Sequence, residues 1–232
     1  MMTGGEQCWK RHTGSEQDTR VVVARTTIAR EGVDGLTVRK LASEAGITVP
    51  TIYNLIGTKD DLFRRLLDEL VSRAEETLSE VKEVDPIEAT ARVVRTLATL
   101  FAEDEDFCRA ALRAGQGLER SGRGNGALRI WQRSAQVANR ICIDAANAGL
   151  LRGDCDPVRI AERAFDSYRI AAIDWLDKVI DVSEFERNAL IGFYLCLAAD
   201  AVPRFRRALM SRIAEVDSDA VRPKARARHS RS

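Results

Sequence analysis

Histidine is almost missing from this chain: 232 residues contain two, His12 and His229, each in a polar terminal stretch. Histidine-dependent catalysis and His-ligated metals in a folded core are thereby nearly removed. Cysteine offers no framework. The five residues Cys8, Cys108, Cys142, Cys155 and Cys196 are odd in number and show no C-x-x-C spacing. That disfavours a disulfide scaffold and a structural zinc site, and three of them sit among apolar residues as small core side chains. Long apolar runs are absent too. The nearest, 189–202, is too short to span a bilayer and contains Asp200. The N-terminus has no apolar signal core, so a cytoplasmic location is expected. An excess of one charge is also lacking, with a formal net charge of +1 and residues 1–70 close to balance. Any attraction to nucleic acid must rest on local placement of Arg20, Arg39, Lys40 and Lys59.

What is present favours helix. Only five prolines occur, and long stretches are rich in Ala, Leu, Arg and Glu. Strand-like alternation is scarce; the most β-prone run, 21–24, is embedded in helical spacing. A helix is expected from Asp18 or Thr19 to near Gly32, with Val21, Val22, Ala24, Ile28 and Ala29 inward. Residues 37–56 then read as two short helices and a tight turn. Thr37 is a candidate N-cap, Gly46 supplies a left-handed exit, Thr48 is a second N-cap and Pro50 falls in the first turn after it. Ile52, Leu55 and Ile56 face inward, leaving Val49, Thr51, Tyr53 and Asn54 outward. That outward face is short and polar, suited to base edges in a DNA major groove. Thr58 caps a helix from Lys59 to about Lys82, with Leu62, Phe63, Leu66, Leu67 and Leu70 buried.

These residues carry a resemblance to the tetracycline-repressor (TetR) family of bacterial transcription regulators. The pattern is Gly32, Thr37, Ala42, Ala45, Gly46, Thr48, Thr51, Ile52, Tyr53, Lys59 and Leu62, over residues 18–68. Two positions depart from it: Ile56 stands where the family usually has Phe, and Pro50 where Gly is frequent. The second alters the surface that meets DNA, so base preference does not carry over. The resemblance implies DNA binding by Thr37, Arg39, Thr48, Val49, Pro50, Thr51, Tyr53, Asn54 and Lys59. Tyr53 and Lys59 would anchor phosphates, and Thr48, Val49, Thr51 and Asn54 would lie nearest the bases.

The expected fold is all-α: an N-terminal three-helix helix-turn-helix domain and a C-terminal helical bundle. Residues 1–17 read as a disordered arm, 18–68 as the DNA-binding domain, 69–214 as a ligand-binding and dimerisation domain, and 215–232 as a disordered basic tail. Further helices start near Pro86, Glu103 and Ala127. The five glycines of 115–126 read as a loop. Asp156 and Pro157 open a helix to about Ile180, and Ser183 caps a last helix to about Ile213. These two last helices are unusually apolar, the second on nearly every side, which points to cover from a second subunit. Phe165, Ala172, Gly192, Leu195, Ala198 and Ala199 are the candidate dimer contacts, and the family resemblance implies the same seam. It also implies a small ligand in the bundle that shifts the linker helix. Candidate pocket residues are Phe101, Phe107, Leu112, Trp131, Tyr168 and Trp175. No cofactor or metal is expected. The partners are operator DNA, a second copy and an unidentified small molecule. The rival readings are a ligand-independent DNA-binding factor and an all-helical enzyme. The second lacks any Glu-x-x-His, Gly-x-Ser-x-Gly or clustered acid/base set.

Overall fold

A computed structural model describes the backbone of residues 22–56, 58–79, 85–120 and 126–221. Expectations for the arm 1–17, the helix start at Asp18 or Thr19, Arg20, Val21, Lys82 and the end of the basic tail lie outside those residues. So do the side chains of Leu55 and Ile56. Among the described residues there are ten helices and no strand. They are α1 (22–35), α2 (Val38–Glu44), α3 (Val49–Ile56), α4 (Lys59–Ser79), α5 (Pro86–Ala102), α6 (Glu105–Arg120), α7 (Gly126–Asn147), α8 (Pro157–Leu176), α9 (Val182–Asp200) and α10 (Pro203–Val221). None is long and apolar enough to cross a membrane.

The chain divides into two compact units. The first holds residues up to Ser79 together with Thr99–Arg133; the second holds Glu80–Ala98 and everything from Ser134. Helices α5 and α7 therefore each contribute to both.

In the first unit, α1 buries Ala24, Thr27 and Ile28, while Val22 is 60% exposed rather than inward. Gly32 takes φ +73°, yet a further helical turn runs to residue 35, past the expected end. Leu62, Phe63, Leu66, Leu67 and Leu70 of α4 are all buried, following their 3.6-residue spacing. Arg25 ties α1 to the rest of the unit. Its guanidinium lies 4.4 Å from the Phe107 ring centroid and pairs with Asp104 at 3.2 Å and Glu69 at 3.6 Å. The expected loop 115–126 is shorter than the glycines suggested, because α6 continues through Gly115 and Gly117 to Arg120. Each helical Gly costs about 1 kcal/mol. Burial of Phe107, Cys108, Ala111 and Leu112 along the same helix outweighs that.

In the second unit, α8 and α9 pack against each other along their length, and α10 packs on α9. Trp175, Phe185 and Tyr168 form a buried aromatic cluster, with ring centroids 6.1 Å and 5.7 Å from Phe185. Tyr194 donates its hydroxyl to the Ile87 carbonyl at 3.1 Å, tying α9 to α5. The cap at Asp156 with Pro157 forms as expected. Three boundaries differ. Helix α8 stops at Leu176, because Lys178 adopts φ 60° and its N–H turns back to the Trp175 carbonyl at 3.0 Å. Asp181, not Ser183, caps α9. Its carboxylate accepts from Glu184 N at 2.8 Å, while the Glu184 carboxylate accepts from Asp181 N at 3.3 Å. The expected last helix is broken in two before Pro203, which supplies no N–H and restricts Val202. At that break the fully buried Asp200 carboxylate accepts from Gly153 N and Asp154 N, each at 3.1 Å. Helix α10 then extends to Val221, so 215–221 is helical rather than tail.

Candidate nucleic-acid interface and cavity

The recognition element is built by three short-range caps. Thr37 Oγ1 accepts from Lys40 N at 3.2 Å and starts α2. Ala42 carbonyl accepts from Ile47 N at 3.0 Å as the chain leaves through Gly46 at φ +66°. Thr48 Oγ1 lies 3.4 Å from Thr51 N and 2.8 Å from Thr51 Oγ1, fixing the first turn of α3. Leu41 and Ile52, each 1% exposed, pin the two helices to the core. With Ile52 inward, Tyr53 is 52% exposed and Asn54, Pro50 and Thr48 are exposed, while Val49 and Thr51 are half-buried. The helix-turn-helix thus brings together the residues expected to face DNA.

Around that face, Arg39 is exposed and Lys59 half-buried, and neither has an ion pair among the described residues. Lys40 is different: its Nζ lies 2.5 Å from Glu31 Oε1. Lys40 first, and Arg30 after it, hold the Glu31 carboxyl below its ordinary range. Much of the Lys40 charge is therefore answered within the chain. At the start of α4, Thr58 N donates to Asp61 Oδ2 at 2.9 Å, and Asp61 N donates to Thr58 Oγ1 at 3.2 Å. These bonds to Thr58 lower the Asp61 pKa. The carboxylate is turned back onto the cap, leaving Lys59 as the cation at this helix start.

The expected pocket residues fall in both units. Phe101, Phe107 and Leu112 are buried in the first unit, and Trp131 is half-buried there; Trp175 is fully buried in the aromatic cluster of the second. Among the described residues a cavity lies within the second unit, among α5, α7, α8 and α9. Its walls are Thr90, Val93, Val94, Ser134, Val137, Ala138, Ile141, Phe165, Tyr168 and Phe193. Tyr168 alone was among the candidates. The empty space there is about 330 Å³ with open solvent counted, and the enclosed part is far smaller than an ordinary small-molecule site. Burial pushes the Tyr168 phenol up to about 12, against the opposing effect of the nearby Ser134 hydroxyl. Ser134 Oγ itself finds no partner in hydrogen-bonding geometry. One sequence signal could have located this wall: Ser134 interrupts the inward row Ile130, Ala138, Ile141, Cys142 and Ala145 of α7.

The candidate dimer residues also divide. Phe165 lines the cavity, and Ala172 and Ala198 are 2% and 5% exposed, covered within the chain. Gly192 faces Ser167: a Cβ added there would lie 1.8 Å from Ser167 Oγ and 2.7 Å from its Cβ. The small residue serves close approach of α8 to α9 in one chain. Leu195 and Ala199 remain exposed, alongside Ile170 and Ile173 of α8.

Comparison with known proteins bears on the family and the fold. Residues 21–66 match the model for bacterial regulatory proteins of the tetR family. The N-terminal domain is a tetR-family domain. Solved structures share the fold over most of the chain. CprB from S. coelicolor A3(2), a TetR family protein, is 19% identical with a TM-score of 0.63, covering 88% of this chain and 99% of its own. A gamma-butyrolactone receptor, an ArpA-like protein, is 20% identical with a TM-score of 0.60, covering 90% and 98%. SmeT, the repressor of the Stenotrophomonas maltophilia multidrug efflux pump SmeDEF, is 15% identical with a TM-score of 0.61, covering 81% and 91%. No curated protein matches the chain.

Proposed function

We propose that the protein is a homodimeric transcriptional repressor whose tetR-family domain binds operator DNA and whose second unit takes a small molecule that releases it. The observation that carries this reading is the capped α2–Gly46–α3 turn, which holds Thr48, Tyr53 and Asn54 exposed beside Arg39 and Lys59. Binding rather than catalysis is the function it supports. Two such domains reading successive major grooves must be set about 34 Å apart, which a dimer accomplishes. Ile170, Ile173, Leu195 and Ala199 supply exposed apolar surface for that contact. A ligand lodged among α5, α7, α8 and α9 touches two helices that also contribute residues to the first unit. Useful release needs a coupling of about 1–3 kcal/mol.

A ligand-independent DNA-binding factor is the second reading, favoured by the modest size of the cavity. The test is fluorescence anisotropy with duplex DNA from upstream of the protein's own gene, at several salt concentrations, with protein mass followed by light scattering. Lys59→Ala is expected to weaken binding to all sequences and to lower the salt slope by about one unit. Leu195→Arg is expected to halve the mass and weaken operator binding. An unchanged slope would remove Lys59 from the phosphate contacts. A wild-type monomer that binds a palindrome tightly would overturn the dimer. A molecule that occupies the cavity without changing DNA affinity would favour the second reading.

A further inference from the structure

Ser134 is 6% exposed and lies on the cavity wall, and its Oγ has no partner in hydrogen-bonding geometry, although the Tyr168 phenol is near enough to feel it. A buried hydroxyl in that state costs stability until something answers it. The other small hydroxyl on the wall is already committed, since Thr90 Oγ1 donates to the Pro86 carbonyl at 2.8 Å. Tyr168 carries a phenol that burial keeps protonated, with its pKa pushed up to about 12. The remaining walls are Val, Ala, Ile and Phe, and among the described residues no charged side chain lines the cavity. An ionised ligand would lose its hydration there and meet no counter-charge. A purely apolar one would leave Ser134 unanswered.

We infer that the molecule this cavity selects is small and neutral, with a compact apolar body and one hydrogen-bonding group, a hydroxyl or carbonyl, that meets Ser134 Oγ. The inference rests on the reading that a ligand enters the second unit, and it adds the class of that ligand and the residue that reads it. The enclosed part of the cavity is much smaller than the 330 Å³ that counts open solvent, so it takes a body of single-ring size at most.

The test uses the full-length protein and three ring compounds of similar shape: phenol, toluene and benzoate. Their dissociation constants are measured by ligand-detected nuclear magnetic resonance at neutral pH. Phenol is expected to bind about tenfold tighter than toluene, the worth of one net hydrogen bond, and benzoate is expected not to bind. Ser134→Ala should abolish the preference for phenol while leaving toluene binding in place. The wild-type ratio stands as a test by itself should that variant fold poorly. Equal binding of phenol and toluene, benzoate binding as tight as phenol, a preference that survives Ser134→Ala, or no binding of any probe would each overturn the inference. Operator affinity measured with phenol bound is a separate readout. Tight, Ser134-dependent binding with unchanged DNA affinity would retain this ligand class and reject the release mechanism.

Discussion

The helix-turn-helix and the cavity are assembled in opposite ways. The backbone caps that bound α2 and α3 close within five residues: Thr37 to Lys40, Ala42 to Ile47, Thr48 to Thr51. The cavity draws its walls from four helices, between Thr90 and Phe193. The first construction satisfies its polar groups locally and turns a small polar face outward. The second is closed by packing over long sequence separations, and that packing leaves a polar group, Ser134 Oγ, without a partner. A surface built from local capping can vary its exposed side chains at little cost to stability. A cavity built from global packing cannot change a wall without disturbing the core behind it.

Substitutions can sharpen that contrast. The largest effect is expected in the packed region. Trp175→Ala removes a fully buried ring from the Phe185 cluster. It should lower unfolding free energy by about 3–5 kcal/mol in urea denaturation. A loss near zero would show that α8 and α9 do not depend on this cluster. Gly192→Ala comes next, since the new methyl meets Ser167 side-chain atoms at 1.8 and 2.7 Å. Overpacking of this kind costs about 1–3 kcal/mol. The loss should be partly relieved by Ser167→Ala, which removes the nearer contact. No relief would mean that the α8–α9 backbones, rather than that hydroxyl, set the limit.

In the locally built region the effects are smaller and confined. Thr48→Ala deletes the cap of α3 and should cost about 1 kcal/mol. Hydrogen exchange should quicken at Thr51 and its neighbours while α8 and α9 stay protected. Equal loosening of both regions would break the comparison. The smallest effect concerns acid. Asp61 and Glu31 are held below the ordinary carboxylate range by Thr58 and by Lys40 with Arg30, respectively. A carboxyl whose folded pKa is depressed contributes stability above its unfolded value. That contribution fades as pH falls through the lower, folded value. Neutral and mildly acidic solution should therefore leave the start of α4 intact, and stronger acid should loosen it. Exchange measured at Asp61 N across that range checks this, and Thr58→Ala should flatten the response.

Much of the architecture could be read from residue order, where the cause is short-range. Thr37, Gly46, Thr48, Thr58 and the Asp156–Pro157 pair announce helix ends, because a cap needs only a side chain and a free N–H two or three residues apart, or a residue such as Gly46 that turns left-handed. Two local signals were present and still misplaced. Asp181-x-x-Glu184 outweighed Ser183, and Pro203 broke what periodicity alone joined. The glycines of α6 misled for another reason: helix propensity is weak against burial of the opposite face. The exposed face of α3 was legible because Ile52 must point inward, and 3.6-residue spacing then sends Tyr53 and Asn54 outward.

Where side chains from distant helices meet was not open to such reading. Phe101, Phe107, Leu112, Trp131 and Trp175 are large and apolar, as pocket residues are, but so is any core residue, and spacing along one helix does not say which neighbour covers it. Ala172 and Ala198 show the same limit, since smallness marks close approach without naming the helix that approaches. The sequence by itself determined the helices, most of their ends and the polar face of α3, because those follow from hydrogen bonds and periodicity within a few residues. Tertiary structure alone decided that Ser134, Phe165 and Tyr168 share a cavity and that Gly192 rests on Ser167. Those placements depend on how whole helices pack, and many sequences with the same local pattern would pack differently.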